Sequence, residues 1–339
     1  MSDNDAESSP ADVPAAPADT RDVFYLLSIF FAVTSTTSLL FYFAWSYFKR
    51  QQERLIKRYR LDAVNYRKMI YNLDIAWSAM GWFSVSISFT IYNKWIMQLW
   101  EGGFNYPITM TTLHMALKVV MSRIWITFGL GLSPLPPLDW PKTLKVVIPI
   151  GVLTSVDIMF SNLSISLIPL SLYTALKTTV PVFTFVTAIV LGIETFQWRT
   201  FLAISCVVGG LAVAVEFRAD GSMLGVALVL GASLAGGFRW VLTQVLLDVD
   251  PASKNVMIAI YRFSPASVAF LLPLAAWFEW GKLGASKFAT EELALDAFGF
   301  SASGGIISIA LIAFEIYLLR ATTAVSLGIL GQFKEVLQI

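Results

Sequence analysis

One cysteine, Cys206, and one histidine, His114, are all that 339 residues contain of either type. A disulfide framework is excluded, and so is a Cys/His metal site. A Ser-His-Asp triad would have to use His114, and no nucleophile-elbow motif accompanies it. Enzyme chemistry is therefore unsupported, and no metal or redox cofactor is called for. Charge is also scarce. Charged residues form 14% of the chain, against about 25% in a soluble domain. The 24 basic and 23 acidic residues leave a net charge of +1, so there is no basic field to hold nucleic acid.

Apolar residues fill the space, at 56% of the chain with a mean hydropathy of +0.68. A membrane-spanning helix needs about 20 mostly apolar residues. The apolar runs here reach that length repeatedly, and they are continuous rather than alternating, which excludes a barrel. The class is an all-α polytopic membrane protein.

Residues 1–22 are Ala/Pro/Ser/Asp-rich and read as a disordered acidic tail without the basic start of a signal peptide. Val23–Phe48 reads as an extra membrane helix with a polar centre, "TSTTS". Residues 49–73 form a basic segment suited to a membrane face or anionic lipid. Nine apolar segments follow, near 74–98, 107–130, 144–167, 170–191, 199–216, 223–247, 255–279, 296–318 and 322–339. Ile168–Pro169 leaves almost no loop, so the third and fourth segments form a tight hairpin. With the basic segment in the cytosol, 13 connecting Lys and Arg residues lie on that side and three on the other. The final run, "SLGILGQFKEVLQI", stops without a polar flank and reads as a helix cut short.

Ionisable residues inside membrane helices cost about 2.5–3.5 kcal/mol each unless they face a partner or a polar cavity. The apolar segments hold Lys118, Arg123, Asp157, Lys177, Arg239, Arg262, Glu315, Lys334 and Glu335. Arg262 reads as snorkelling to an interface, and Lys94 as interfacial. Helical spacing aligns Thr174, Lys177 and Pro181 on one face, with Ser171 and Thr178 beside them. An ammonium among hydroxyls suits a phosphate-bearing solute. Asp157, Ser161 and Ser164 form a second polar stripe, with Asn162 next to it. The alternative reading is structural, with Asp157 or Glu315 paired to a nearby cation. Ala232 with Gly236, and Ser233 with Gly237, have the spacing of close helix contact, and Arg239 follows them.

"SLYTALK" in the fourth segment is echoed by "SLGILGQFK" in the ninth, and Lys177 and Lys334 stand 157 positions apart. Five helices per half make an odd repeat, which must be inverted in the membrane and puts a solute site between the halves.

The core resembles the drug/metabolite transporter superfamily, in its branch of triose-phosphate translocators and nucleotide-sugar transporters. The likeness is carried by "YNKW" (92–95), "TLH" (112–114), "SVDIMFSNLSI" (155–165), "SLYTALK" (171–177), "ALVLGASLAGGFRWVLTQVLL" (227–247), "FE" (314–315) and "FKEV" (333–336). It implies a ten-helix inverted-repeat (5+5) fold, here without its last helix, working by alternating access in a Golgi or endoplasmic reticulum membrane. It implies a phosphorylated sugar or nucleotide-sugar solute, exchanged for nucleoside monophosphate, with the bilayer as the other partner and a homodimer left open. Its closest likeness, in solute carrier family 35, points to GDP-fucose. Lys177 and Lys334 match the family's phosphate-binding lysines. Ser171, Thr174 and Thr178 would add hydroxyls, and Tyr173 and Arg239 would contact sugar or base. Asp157, Asn162, Glu315 and Glu335 would gate or support the site. Plastid translocators carry arginine after the second lysine, where this chain has Glu335, so a nucleotide sugar is expected over a triose phosphate. A sugar-phosphate/phosphate exchanger and a non-transporting membrane adaptor are the rival readings.

Overall fold

The computed structural model describes residues 20–59, 62–132, 137–165, 167–214 and 222–338. Most of the acidic tail and the "RADGS" break lie outside them. Among the described residues there is no β-strand. The helices are α1 (Thr20–Arg50), α2 (Gln52–Tyr59), α3 (Ala63–Lys94), α4 (Pro107–Ile124), α5 (Trp140–Lys142), α6 (Ile148–Ile165) and α7 (Leu170–Lys177). They continue with α8 (Val180–Val190), α9 (Trp198–Ala214), α10 (Met223–Val249), α11 (Val256–Ala275), α12 (Gly281–Gly284), α13 (Glu291–Ala321) and α14 (Ala324–Gln338). Among the described residues, five stretches are long and apolar enough to cross a membrane: Trp140–Ser164, Leu172–Val190, Met223–Val249, Val256–Gly284 and Glu291–Ala321.

Large apolar side chains face outward as well as inward, and a few charges lie inside. Phe128 and Trp277 are 84% exposed on the outside, whereas Lys118 is 2% exposed inside. An apolar exterior around buried charge suits hydrocarbon as the solvent.

Two elements depart from the apolar runs. Helix α3 starts eleven residues before its run, at Ala63, where the Asp62 side chain accepts from the Val64 amide at 2.9 Å and caps the helix. Apolar content marks the part of a helix that meets lipid, not where hydrogen bonding begins. The fourth run, expected as one helix, is broken between α7 and α8. Pro181 has no N–H to give the Lys177 carbonyl four residues back. The Thr178 and Thr179 hydroxyls donate to the Ala175 and Leu176 carbonyls at 2.6 and 2.7 Å, satisfying backbone groups at the break.

Helix α6 packs on α10 and α11, α13 packs on α3 and α4, α4 packs on α11, and α14 packs on α8. The small residues of α10 set its spacing. A Cβ on Gly237 would lie 2.8 Å from the Thr184 amide nitrogen, and one on Gly236 would lie 3.0 Å from Asp157 Oδ2. The Ala324 amide donates to Gln244 Oε1 at 2.7 Å, tying the start of α14 to α10. Near Ile168 the hairpin is fixed by Ser164, whose hydroxyl donates to the Gly225 carbonyl at 2.9 Å.

Candidate functional site

Lys177 ends α7 at the helix break. Its ammonium donates to Asp157 Oδ1 at 2.5 Å and to Ser161 Oγ at 2.9 Å, both on α6. Ser161 in turn donates to Asp157 Oδ1 at 3.4 Å. The Lys177 and Asp157 side chains are 20% and 19% exposed, so the pair is partly open. Gly236 lets α10 lie against the carboxylate from the other side.

A second pair sits one turn along α10. Arg239 donates to Glu315 Oε1 of α13 at 2.8 Å, and the Trp240 indole donates to the same oxygen at 3.0 Å. Arg239 is within electrostatic reach of Asp157 as well, so the two pairs form one charged cluster. Trp240 also packs against α14, where its ring lies 3.6 Å from the position of a Cβ on Gly328 or Gly331. The same Gly328 position is 3.4 Å from the Cα of Pro181, so α14 meets α8 just past the break.

The two polar stripes of the sequence are thus brought together, in an arrangement the spacing did not give. The partners of Lys177 come from α6, not from the hydroxyls of its own helix. Thr178 is buried and its hydroxyl is directed at the Ala175 carbonyl. The break also takes Pro181 out of the regular helical register with Lys177. Thr174 is half-buried on α7, and Tyr173 packs with Leu172, Leu176 and Val229 within electrostatic reach of Lys177. Asn162 is half-buried on α6. Ser171 lies on α7, and Lys334 and Glu335 on α14; their side chains, like that of Lys94, fall outside the described residues. Arg262 does not snorkel freely, because its Nε donates to Asp250 Oδ2 at 3.0 Å.

Two contributors carried no role in the sequence reading. Trp240 was only the neighbour of Arg239. Glu279 is buried and accepts from the Ile108 and Thr109 amides at 2.9 and 2.7 Å, capping α4 from a different helix. A lone acid in "WFEWGK", at the end of an apolar run, is the available signal, and its partner is 170 positions away. An apolar groove of about 540 Å³ runs between α8 and α9, past Phe185 and Phe201. No charged side chain lines it, so it offers nothing to a phosphate.

Intramembrane charge pairs, a broken helix and small-residue packing are features of solute carriers. Residues 73–332 match the Triose-phosphate Transporter family. The chain belongs to this family. It is a multi-pass membrane protein. Similar proteins include YMD8 of Saccharomyces cerevisiae, provisionally named as a nucleotide-sugar transporter. It is 30% identical over 53% of this chain and 44% of that relative. An Arabidopsis thaliana protein, named a probable sugar phosphate/phosphate translocator, is 27% identical over 76% of this chain and 63% of its own. UDP-uronic acid transporter 1 of the same plant is 28% identical over 61% and 66%. The chain thus spans between about half and two thirds of the length of these relatives. One crystal structure superimposes with a TM-score of 0.54 at 17% identity, over 77% of this chain and 84% of the other, a likeness of fold alone.

Proposed function

We propose that the chain is a secondary-active antiporter that exchanges a nucleotide sugar for a nucleoside monophosphate across a Golgi or endoplasmic reticulum membrane. GDP-fucose is the first solute to test. The observation that carries this reading is the Lys177–Asp157 pair, an intramembrane ammonium beside a helix break and partly open. A phosphate oxygen could take the place of Asp157 on Lys177, with Ser161 already in hydrogen-bond range. Lys334, on α14, is the proposed second lysine of the site, and Glu335 stands where a triose-phosphate exchanger would have arginine. The names of the three relatives support a phosphorylated solute.

Alternating access would come from two inverted halves within a transporter unit at 74–339, preceded by the tail, an extra helix and a basic cytosolic segment. Reciprocal packing supports this. Shifting each spanning unit by five exchanges the α6–α10 contact with α13–α3, and the α6–α11 contact with α13–α4. Asp157 precedes Lys177 by 20 positions, and Glu315 precedes Lys334 by 19. The motor would be the differential affinity of two solutes for the two orientations.

A second reading, sugar-phosphate/phosphate exchange, has the name of the Arabidopsis translocator in its favour. Counterflow in proteoliposomes of the full chain, with nucleotide sugars and sugar phosphates as competing solutes, separates the two. Exchange of neither class would overturn both readings. Undiminished exchange by Lys177→Ala would overturn the site.

A further inference from the structure

We propose that Lys118 is a second anion-binding residue of the solute pathway, one that takes the additional phosphate of a nucleoside diphosphate compound. The proposal rests on the transport reading above and deepens it. Lys118 lies on α4, 2% exposed. Among the described residues its ammonium has one hydrogen-bond contact, Met115 Sδ at 3.8 Å, and a thioether is a weak acceptor. Three half-buried cations have their own carboxylates: Lys177 has Asp157, Arg239 has Glu315, and Arg262 has Asp250, while half-buried Arg123 lies over the Tyr261 ring. Glu315 is within electrostatic reach of Lys118, but its Oε1 is held by Arg239 and Trp240.

The surroundings of Lys118 are polar and incompletely satisfied. His114 is one turn away on the same helix and buried, with the Ser301 backbone as its polar neighbour. Ser301 of α13, also buried, has a hydroxyl without a partner among the described residues. Gly304 brings α13 against the imidazole, since a Cβ at that position would lie 2.8 Å from His114 Nε2. A packing role for the lysine would call for a satisfied or apolar neighbourhood, because buried polar groups are costly when left unpaired.

Charge bookkeeping points the same way. Three basic side chains, Lys118, Lys177 and Arg239, stand among two carboxylates, Asp157 and Glu315, and Lys118 is the one of the three without an ion pair. Arg239 stands within electrostatic reach of both Lys118 and Lys177, which relates Lys118 to the proposed phosphate site. A solute with a second phosphate would give Lys118 an anionic partner, and a monophosphate held at Lys177 would not.

The test uses the purified full chain, its Lys118→Met and Lys118→Arg variants, and inorganic phosphate, UMP, UDP, GMP and GDP as probes. Affinity is read by ligand-dependent thermal melting and by competition in counterflow. The preference for diphosphate over monophosphate should fall by about tenfold or more in Lys118→Met and return in Lys118→Arg. Without ligand, Lys118→Met should melt above wild type, because an uncompensated buried charge is gone. An unchanged preference, an equal loss for all probes, or a lower ligand-free melting point would overturn the proposal while the transport reading stands. Wild-type protein that binds none of the probes would overturn both.

Discussion

Lys177 and Asp157 face each other across the α6–α7 hairpin at 2.5 Å, twenty positions apart in the chain. An intramembrane ammonium is tolerated because a carboxylate already holds it. A phosphate that arrives there competes with that carboxylate, so binding at this position is an exchange of partners.

Competition of this kind predicts the effect of Asp157→Asn. The amide keeps the shape but removes the rival charge. Phosphate monoesters should bind several-fold more tightly, and turnover should slow because release no longer has Asp157 to recapture the lysine. Equilibrium binding and counterflow on the same preparation check both halves. Weaker binding would mean that Asp157 supports the solute rather than competing with it.

Stability should respond to the pair as a unit. Removing one partner of a fully buried ion pair costs about 3–5 kcal/mol, and a partly open pair such as this one should cost less. Lys177→Met and Asp157→Asn should each lower the melting temperature. The double variant should lose less than the sum of the two single losses, with a coupling of about 0.5–3 kcal/mol. It should remain without exchange, since the cation is missing. Melting of the four proteins in one detergent measures the cycle.

Close packing at α10 gives a prediction independent of charge. Gly237→Ala would place a Cβ 2.8 Å from the Thr184 amide nitrogen, a backbone atom that cannot swing away. The cost should be about 1–3 kcal/mol of overpacking. Gly209→Ala on α9 meets nothing within 4 Å and should be neutral or slightly stabilising. Thermal melting ranks the two, and equal effects would refute the packing argument.

Glu279 caps a helix to which it does not belong, and Glu279→Gln removes its charge while keeping its length. The α4 amides at Ile108 and Thr109 would lose a charged acceptor next to the positive end of the helix dipole. The loss should be about 1 kcal/mol, and Glu279→Ala should lose more because the amides are left unsatisfied. Hydrogen exchange at the first turn of α4 reads the effect locally.

Much of this was legible from residue order. Pro181 four positions after Lys177 is a helix-breaking signal in its own right, although helical spacing alone set both on one face. The 236/237 glycines were readable as a contact surface because only small residues let backbones approach. Asp157 and Glu315 were recognisable as buried acids, and the reading that each pairs with a nearby cation describes the observed pairs. The partner of each acid was not legible. Arg239 and Glu315 are 76 positions apart, and helix rotation decides whether they meet. Lys118 looked like one more intramembrane charge until Lys177, Arg239 and Arg262 were each seen to have a carboxylate.

Composition by itself determined that the chain lies in a membrane as helices, because the cost of placing charge or unpaired backbone in hydrocarbon is paid residue by residue and shows in the sequence. Tertiary structure alone decided which charges neutralise one another and which is left over. That outcome depends on distances between helices, and an ion pair in a low-dielectric interior gains or loses its stabilisation within a few ångströms.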